Sequence, residues 1–305
     1  MSLPVNNYLL VVIGPTAIGK TALAIRLAQH FQCEILSCDS RQFFKEMTVG
    51  TAVPSPEELS AVPHHFIQHI SIQDAYSVGD FERDAIALLD RLFERNNVQV
   101  MVGGSGLYVN AILEGLDEFP DIDPRIREEL NQALEEKGLP YLQAQLKELD
   151  PVHYEKVALD NPQRVTRALE VSIGTGQPYS SFLAKKKVKR NFIPIVIGLE
   201  APREIMYDRI NKRVDLMLQG GLLEEVKALI PKQDLNALQT VGYRELFQYF
   251  KGNATLDEAV EEIKKNTRRF AKRQITWFKR TPNTTWYSFQ QDSSSIIEDI
   301  TKQIN

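Results

Sequence analysis

The chain has 305 residues, with 36 Lys and Arg against 40 Asp and Glu, which gives a net charge of −4 at pH 7. Hydrophobic residues make up 43% of the sequence and charged residues 25%, the proportions of an ordinary globular protein. No apolar run reaches the roughly 18 residues needed to cross a bilayer, which excludes a membrane-spanning function. The length allows one large domain or a domain with an insertion.

The first residues and the cysteines predict a cytoplasmic protein. The opening MSLPVNNYLL has neither the basic region nor the small-residue cleavage site of a secretory signal. Cys33 and Cys38 lie in a stretch typical of a buried strand and show neither metal-ligand spacing nor a disulfide framework. We interpret both as reduced thiols of the core.

Strands and helices alternate in the first third of the chain. The apolar strands are YLLVVIG (8–14), EILSCD (34–39) and VQVMVGG (98–104), and the helical stretches are KTALAIRLAQHF (20–31), FERDAIALLDRLFERN (81–96) and a helix from Leu107. This alternation predicts right-handed crossovers and a parallel sheet. We place the second strand beside the first.

The pattern then changes to helices alone. Three helical stretches follow, DPRIREELNQALEEKG, LPYLQAQLKEL and PQRVTRALEVSIGTG, before IPIVIGLE (193–200) returns as a buried strand. We therefore predict a catalytic core made of residues 1–116 and 190–305, with a helical insertion over residues 117–189.

The final third is mostly helical. A long amphipathic helix is predicted from Leu256 to Lys279, and T-L-D-E at Thr255–Glu258 is its capping box, in which each side chain accepts a free backbone N–H. The later stretch WYSFQ is a candidate edge strand.

A phosphate-binding loop follows the first strand. It matches G-x-x-x-x-G-K-[ST] with Gly14, Pro15, Thr16, Ala17, Ile18, Gly19, Lys20 and Thr21. The glycines let backbone N–H groups face phosphate oxygens, and the following helix N-terminus adds partial positive charge. Lys20 supplies a full charge, and the Thr21 hydroxyl can ligate Mg²⁺. A chance glycine turn is the alternative, but the flanking strand and helix favour a site for a di- or triphosphate.

The acidic residues near this loop bear on the reaction. Asp39 ends the second strand, where a residue of a parallel sheet faces the ligand crevice and can accept a proton, although an Asp-Ser pair is also common in turns. The third strand ends in Gly103-Gly104-Ser105-Gly106 and offers no acid to activate water, as a hydrolase would need. These glycines permit close backbone approach and inward-facing N–H groups, or form a simple strand-to-helix turn. The combination favours a reaction in which a diphosphate is the leaving group.

Basic residues form three further candidate groups. Arg209 and Arg213 lie four residues apart on one helix face and suit a departing diphosphate, or else a solvated face beside Asp208 and Asp215. The other two groups are the run KKKVKR (185–190) and the stretch from Lys264 to Arg280, where eight basic residues alternate with Phe270, Trp277 and Phe278.

These basic and aromatic residues are typical of contacts with unpaired RNA. Phosphates pair with the charges and bases stack on the rings. Gln163, Arg164 and Arg167 on one helical turn add to this pattern. Phe270, Ile275 and Phe278 also fit the buried stripe of the helix. Separately, His64 and His65 point opposite ways on an extended segment, so we interpret them as structural hydrogen-bonding groups and not as a metal pair.

The sequence blocks resemble those of the tRNA dimethylallyltransferases, also called tRNA isopentenyltransferases. The similar blocks follow that family's order over nearly the whole chain: GPTAIGKT, SCDSRQFFKEMTVGTAVPS, VPHHF…YSVGDF, GGSGLY, NPQRVTRALEV, LQTVGYREL and TRRFAKRQITWFKR. The resemblance implies a P-loop NTPase-like parallel sheet flanked by helices, with the inserted helical domain holding the anticodon stem-loop.

The resemblance also implies an activity and its site. It implies transfer of a dimethylallyl group from dimethylallyl diphosphate to N6 of the adenosine 3′ to the anticodon, in tRNAs that read codons beginning with U. The loop 14–21 would then hold the donor diphosphate, with Mg²⁺ near Thr21 and Asp39 as the general base. Arg209, Arg213 and Ser105 complete the expected catalytic set. Residues expected to contact tRNA are Asp39, Ser40, Arg41, Gln42, Ser105, Gln163, Arg164, Val165, Thr166, Arg167, Arg273, Gln274, Trp277 and Arg280.

Three residues depart from the family pattern, and they do not change the activity that the resemblance implies. Ile18 replaces a usual serine, Phe44 a common tyrosine and Ser105 a usual threonine. The chain lacks a zinc-finger extension of the eukaryotic kind, so it fits the short bacterial form, and we expect a monomer without a membrane partner. Two rival functions remain: a small-molecule or nucleoside kinase using ATP, and a non-catalytic RNA-binding module.

Overall fold

The computed structural model describes residues 6–183 and 188–304, so lysines 185–187 of the predicted basic run lie outside the described residues. Two compact units make up the fold. One consists of residues 1–113 and 190–305, and the other of residues 114–189. The predicted insertion, over residues 117–189, starts three residues later.

A parallel sheet of six strands forms the centre of the larger unit as far as the chain is described. The strands are β1 (Tyr8–Ile13), β2 (Ile35–Ser37), β3 (His64–His65), β4 (Val98–Val102), β5 (Ile193–Glu200) and β6 (Thr284–Ser288). Their order is β3-β2-β4-β1-β5-β6, and every neighbouring pair is parallel. The predicted fold class is confirmed, and the candidate edge strand is β6.

The predicted neighbour of β1 is wrong. β2 pairs with β4, and β4 lies between β2 and β1, with Leu36 opposite Met101 and Leu10 opposite Val100. The crossover after β1 skips one position in the sheet, which a later strand fills. The carboxyl ends of all three strands still meet at one edge of the sheet, so Asp39 reaches the same crevice as the phosphate-binding loop.

Helices cover both faces of this sheet and add a third core. They are α1 (Lys20–Phe31), α2 (Pro56–Ala61), α3 (Val78–Phe93), α4 (Gly106–Glu114), α9 (Arg203–Gln219), α10 (Leu222–Ala228), α11 (Tyr243–Phe250), α12 (Leu256–Phe278) and α13 (Ser293–Ile304). One face packs against α1 and α13, and the other against α3 and α4. Residues 9–13 of β1 are completely buried, which explains the continuous apolar sequence of a strand covered on both faces.

The long helix α12 begins with the predicted capping box. The Glu258 N–H donates to Thr255 Oγ1 at 3.3 Å, and the Thr255 N–H donates to Glu258 Oε2 at 2.8 Å. Together with α9, α10 and α11, this helix forms a third apolar core around Val214, Tyr243 and Ile263.

The smaller unit is helical. It contains α5 (Pro124–Lys137), α6 (Leu139–Leu149), α7 (Pro151–Tyr154) and α8 (Pro162–Thr175). Their core contains Leu130, Leu142 and Leu169. The buried Asp150 carboxylate accepts bonds from the His153 N–H and from the Ser180 N–H and hydroxyl.

Across residues 6–183 and 188–304, no helix combines the length and the apolar character needed to pass through a membrane.

Candidate active site

The phosphate-binding loop, residues 14–21, connects β1 to α1. Gly14 has φ +148°, and a Cβ there would lie 2.7 Å from the Leu199 carbonyl oxygen. Gly19 has φ +109° with open space around it, so its backbone conformation alone calls for glycine. Lys20 and Thr21 then begin α1, whose free N–H groups face the loop.

Lys20 and Thr21 bring different chemistry to this loop. The Lys20 ammonium donates to the Pro15 carbonyl oxygen at 2.8 Å. Burial lowers the pKa of Lys20 to about 8, and the nearby Asp39 carboxylate partly offsets this effect. The half-buried Thr21 lines the same cavity and can contribute a hydroxyl oxygen to a metal ion.

The loop lines one side of a cavity of about 760 Å³. Residues 16–22 of the loop and α1, Asp39, and a segment over residues 48–55 all contribute to its lining. Arg213 and Gln274 from α9 and α12 also line it. Such a volume falls in the range of cavities that hold small ligands.

Asp39 follows β2 and lines the cavity. Its Oδ1 accepts the Arg41 N–H at 3.1 Å, and its own N–H donates to Ser37 Oγ at 3.3 Å. Burial raises the pKa of the Asp39 carboxyl, while the Arg41 N–H and the charge of Lys20 partly offset the shift. A carboxylate held in this way is a suitable proton acceptor.

Ser105 and the glycines after β4 hold the turn that contains Asp39 in place. Ser105 Oγ accepts the Ser40 N–H at 3.1 Å and lies 3.2 Å from Ser40 Oγ. A Cβ on Gly103 would lie 2.7 Å from the Cys38 carbonyl carbon and 2.9 Å from the Asp39 nitrogen, so the two backbone segments approach each other closely here. The Gly103 N–H donates to Val12 O, so it does not add to the predicted set of inward-facing N–H groups.

Gln274 connects the two halves of the site. Its Oε1 accepts the Thr16 N–H at 2.9 Å, and its Nε2 donates to the Gly104 carbonyl oxygen at 2.8 Å. The side chain is only 6% exposed, and a Cβ on Gly104 would lie 2.3 Å from Nε2. The family resemblance placed Gln274 among tRNA contacts and gave no sign of this bridge between the phosphate-binding loop and the Gly104 turn.

The two arginines of α9 occupy different environments. An Nη of Arg213 lies 3.5 Å from Thr16 Oγ1 inside the cavity, and burial lowers the pKa of this guanidinium. Arg209 donates from Nε to the Ala17 carbonyl oxygen at 2.8 Å, and its guanidinium lies 5.2 Å from the Phe289 ring centre. Arg213 therefore faces the cavity, whereas Arg209 supports the outer side of the phosphate-binding loop.

Many basic residues of α12, and Lys279 just after it, pair within the protein. Lys264 contacts Asp215 and Glu261, and Lys265 contacts Glu262. Arg268 donates to Asn211, and Lys279 donates to Glu200. The predicted basic stretch is thus partly a set of intramolecular ion pairs and hydrogen bonds.

The remaining basic and aromatic residues divide into exposed and buried groups. Arg273 and Arg280 are exposed, as are Phe270 and Trp277. Phe278 is completely buried, so the buried stripe is the correct interpretation for that ring. Trp277 packs over Gly106, where a Cβ would lie 2.3 Å from its ring.

The basic turn of α8 also has two faces. Gln163 and Arg164 are exposed and Arg167 is partly exposed, whereas Val165 and Thr166 are buried in the helical unit. An RNA contact by this turn therefore depends on Gln163, Arg164 and Arg167. Val165 and Thr166 pack inside the helical unit. Arg167 and Arg127 both donate to Glu170 at 2.9 Å.

Arg41 and the two histidines make contacts within the protein. Arg41 donates to the Asn236 and Ala237 carbonyl oxygens. The His64 ring lies 2.8 Å from Val62 O, and the His65 ring lies 2.6 Å from Glu34. These contacts fit the predicted structural role of the histidines. Within the described part of the chain, no group of three or more His, Cys, Asp or Glu could hold a metal ion.

The segment 48–55 was not recognised from sequence as a wall of the site. Its residues, TVGTAVPS, end one of the sequence blocks that resemble the family, but no role in the site was predicted for them. In the fold it lines the cavity and is tied to Gln42, whose Nε2 donates to the Thr51 and Ala52 carbonyl oxygens at 3.2 and 2.9 Å.

The fold and the site define a P-loop-type α/β protein in which a phosphate-binding loop and a carboxylate share one cavity. Comparison with known proteins narrows this class. The family model for the IPP transferases matches residues 42–281, and the chain belongs to this family.

Relatives and solved structures agree with this assignment. A tRNA dimethylallyltransferase of Flavobacterium psychrophilum is 62% identical over 300 residues, which cover 96% of this chain and 98% of the relative. The tRNA isopentenylpyrophosphate transferase structure from Bacillus halodurans is 36% identical with a TM-score of 0.72, covering 98% of this chain and 95% of that one. A tRNA delta(2)-isopentenylpyrophosphate transferase structure from Staphylococcus epidermidis is 33% identical with a TM-score of 0.71, covering 98% and 99%.

Proposed function

We propose that this protein transfers a dimethylallyl group from dimethylallyl diphosphate to N6 of the adenosine 3′ to the anticodon, in tRNAs that read codons beginning with U. The observation that carries the proposal is the shared cavity, in which Asp39 lies beside the phosphate-binding loop. The membership of the IPP transferase family and the name tRNA dimethylallyltransferase of its relatives support tRNA as the acceptor and a dimethylallyl group as the group transferred.

The proposed reaction forms one bond and breaks one. The N6 lone pair attacks C1 of the allylic chain while the C1–O bond breaks, and the diphosphate leaves with the electron pair. Asp39 accepts the N6 proton as the C–N bond forms, which assists the attack because the amine is a weak nucleophile whose lone pair delocalises into the purine. Lys20, Arg213 and the loop N–H groups stabilise the negative charge that develops on the leaving diphosphate. Arg209 acts through the Ala17 carbonyl oxygen.

Mg²⁺ is the metal that suits this site. The hydroxyl of Thr21 lines the cavity and is a hard oxygen donor. Mg²⁺ typically takes only one or two protein ligands together with substrate phosphates and water, so a cluster of acids is not required. When bound, the ion would neutralise charge on the diphosphate, and Thr21 would hold it.

We propose that the tRNA anticodon stem-loop contacts exposed residues of both units. Charge and one aromatic surface come from Arg273 and Trp277 on α12, from Arg280 just after it, and from Gln163, Arg164 and Arg167 on α8. The target adenosine must leave its stack to bring N6 to Asp39. Because one chain carries the loop, the base and the basic residues, we propose a monomer that acts in the cytoplasm, where tRNA is found.

Transfer of label tests the proposed function directly. The protein is incubated with Mg²⁺, unmodified tRNA and dimethylallyl diphosphate labelled in the allylic chain, and we expect label in the RNA and N6-dimethylallyladenosine after digestion. Phosphoryl transfer from ATP without labelled RNA would instead identify a kinase. Binding of tRNA without any product would identify an RNA-binding module.

The raised pKa of Asp39 predicts the acid side of the pH profile. The carboxyl must be ionised to accept a proton, so activity is present above its pKa and lost as the pH falls through it. Because burial raises this pKa above the ordinary 3.8, the rate should fall at a higher pH than an exposed aspartate would give. The pH profile of kcat/KM, which reports the groups of the free enzyme, gives the midpoint, and a midpoint at or below 3.8 would contradict the assignment.

Arg273→Ala is expected to weaken tRNA binding and reduce its dependence on salt. The exposed guanidinium can release one counterion from the RNA, so the slope of log K against log salt should fall by about 1. Titration of labelled anticodon hairpin at several salt concentrations measures this slope. Arg91→Ala on α3 is the matched control and should leave it unchanged, and a change confined to donor affinity would refute an RNA role for Arg273.

A further inference from the structure

Glu225 on α10 accepts four hydrogen bonds although it does not line the cavity. Its Oε2 accepts the Thr48 and Val49 N–H groups at 2.9 and 2.7 Å. Its Oε1 accepts the Gly50 N–H at 3.0 Å and the Tyr243 hydroxyl at 2.6 Å. Three successive backbone N–H groups therefore converge on one carboxylate, which holds the start of the 48–55 segment.

Tyr243 fixes the same segment by packing. Its ring is completely buried, and a Cβ added to Gly50 would lie 2.6 Å from the ring. Burial and the adjacent Glu225 both raise the pKa of Tyr243, so the hydroxyl keeps its proton and remains a donor to Glu225. The segment can approach the Tyr243 ring this closely because residue 50 is a glycine, since any larger side chain at that position would clash with the ring.

The far end of the segment is connected to the general base. Gln42 donates to the Thr51 and Ala52 carbonyl oxygens, and its Oε1 accepts the Ser37 hydroxyl at 3.2 Å. Ser37 Oγ in turn accepts the Asp39 N–H. A chain of hydrogen bonds therefore links Glu225, through the 48–52 backbone, to the position of Asp39.

The segment also gives the cavity an apolar wall. Val49, Ala52, Val53 and Pro54 line the cavity that contains the phosphate-binding loop. A five-carbon allylic chain whose diphosphate lies in that loop needs an apolar surface of this kind. The position of the wall sets how long a chain the cavity accepts.

We propose that Glu225 is a positioning residue that holds the 48–52 wall against the allylic chain of the donor, and so sets both donor affinity and chain-length discrimination. The inference rests on the proposed function, since it assumes an allylic diphosphate in this cavity. A carboxylate suits the task because both oxygens accept hydrogen bonds, whereas an amide would turn one NH₂ group toward backbone N–H donors.

Glu225→Gln tests the proposal because it keeps the shape and removes two acceptor positions. We expect KM for dimethylallyl diphosphate to rise about tenfold, the loss expected from one or two misplaced hydrogen bonds, while KM for tRNA stays within about twofold. The ratio of kcat/KM for a ten-carbon allylic diphosphate to that for the five-carbon donor should rise about fivefold or more, because a loosened wall excludes long chains less well. Label transfer to tRNA and thermal unfolding are measured on the same preparations.

Matched variants separate positioning from general destabilisation. Glu224→Gln removes a charge from the exposed neighbouring position of α10 and should leave both parameters unchanged. Tyr243→Phe removes only the hydroxyl donor and should shift donor KM and chain-length preference in the same direction by a smaller factor, and it decides the question if Glu225→Gln does not fold. A lower unfolding temperature with wild-type donor KM and chain-length preference would overturn the proposal, as would equal losses for both substrates. Absence of label transfer by the wild-type protein would instead count against the proposed function itself.

Discussion

Asp39→Asn is expected to lower kcat by about two to four orders of magnitude, the usual contribution of a positioned general base. The amide keeps the size of the carboxyl and an oxygen to accept the Arg41 N–H, so the turn after β2 should survive. Affinities for tRNA and for dimethylallyl diphosphate should change little, because the loss lies in the step that removes the N6 proton. Single-turnover transfer of label, together with separate binding titrations of each substrate, measures these quantities.

The control for this variant is Asp208→Asn. Asp208 is an exposed carboxylate of α9 that pairs with Lys212, and its replacement should leave kcat unchanged. An Asp39→Asn protein with near wild-type kcat would remove Asp39 from the role of base. Equal losses in binding and rate would make it a structural anchor.

Lys20→Ala is expected to lower kcat/KM for dimethylallyl diphosphate by about two to three orders of magnitude, the usual result of removing one group that stabilises a developing oxyanion. The ammonium is the one full charge within the phosphate-binding loop, residues 14–21. Its replacement should weaken donor binding as well as slow the reaction, since in the proposed reaction the ammonium contacts the diphosphate both before and after the C1–O bond breaks. Steady-state kinetics with varied donor at saturating tRNA gives both effects.

Two further variants serve as the control and the comparison for Lys20→Ala. Lys302→Ala removes an exposed charge of α13 and should behave like the wild-type protein. Arg209→Ala should cost less than Lys20→Ala, because Arg209 supports the Ala17 carbonyl oxygen from outside the cavity. If donor kinetics were unaffected in Lys20→Ala, the loop would not be the diphosphate site.

The sequence was sufficient to predict elements that are determined locally. The buried runs of β1, β4 and β5, the glycines of the phosphate-binding loop and the Thr255 capping box each depend on residues within a few positions of one another. Strand order was harder to predict: β2 lies beside β4 because of contacts between residues far apart in the chain, and no local pattern encodes that choice. The two-residue strand β3 is too short to show any periodicity.

Side-chain roles were predicted less completely for the same reason. Lys264 and Lys279 carry charges that favour nucleic acid on sequence alone, yet each pairs with a carboxylate of the fold. Val165 and Thr166 share a motif with exposed Arg164 but point into the helical unit. Glu225 lies more than 170 residues from the backbone it holds, and this contact exists only in the folded state.

Adjacent positions on α12 have opposite environments: Arg273 is exposed, whereas the Gln274 amide spans from Thr16 to Gly104. Both residues belong to one continuous helix of 23 residues with a capped start. Gln274 therefore ties this helix both to the phosphate-binding loop and to the turn at Gly104. A displacement of the helix at this position would act on both sides of the cavity at once.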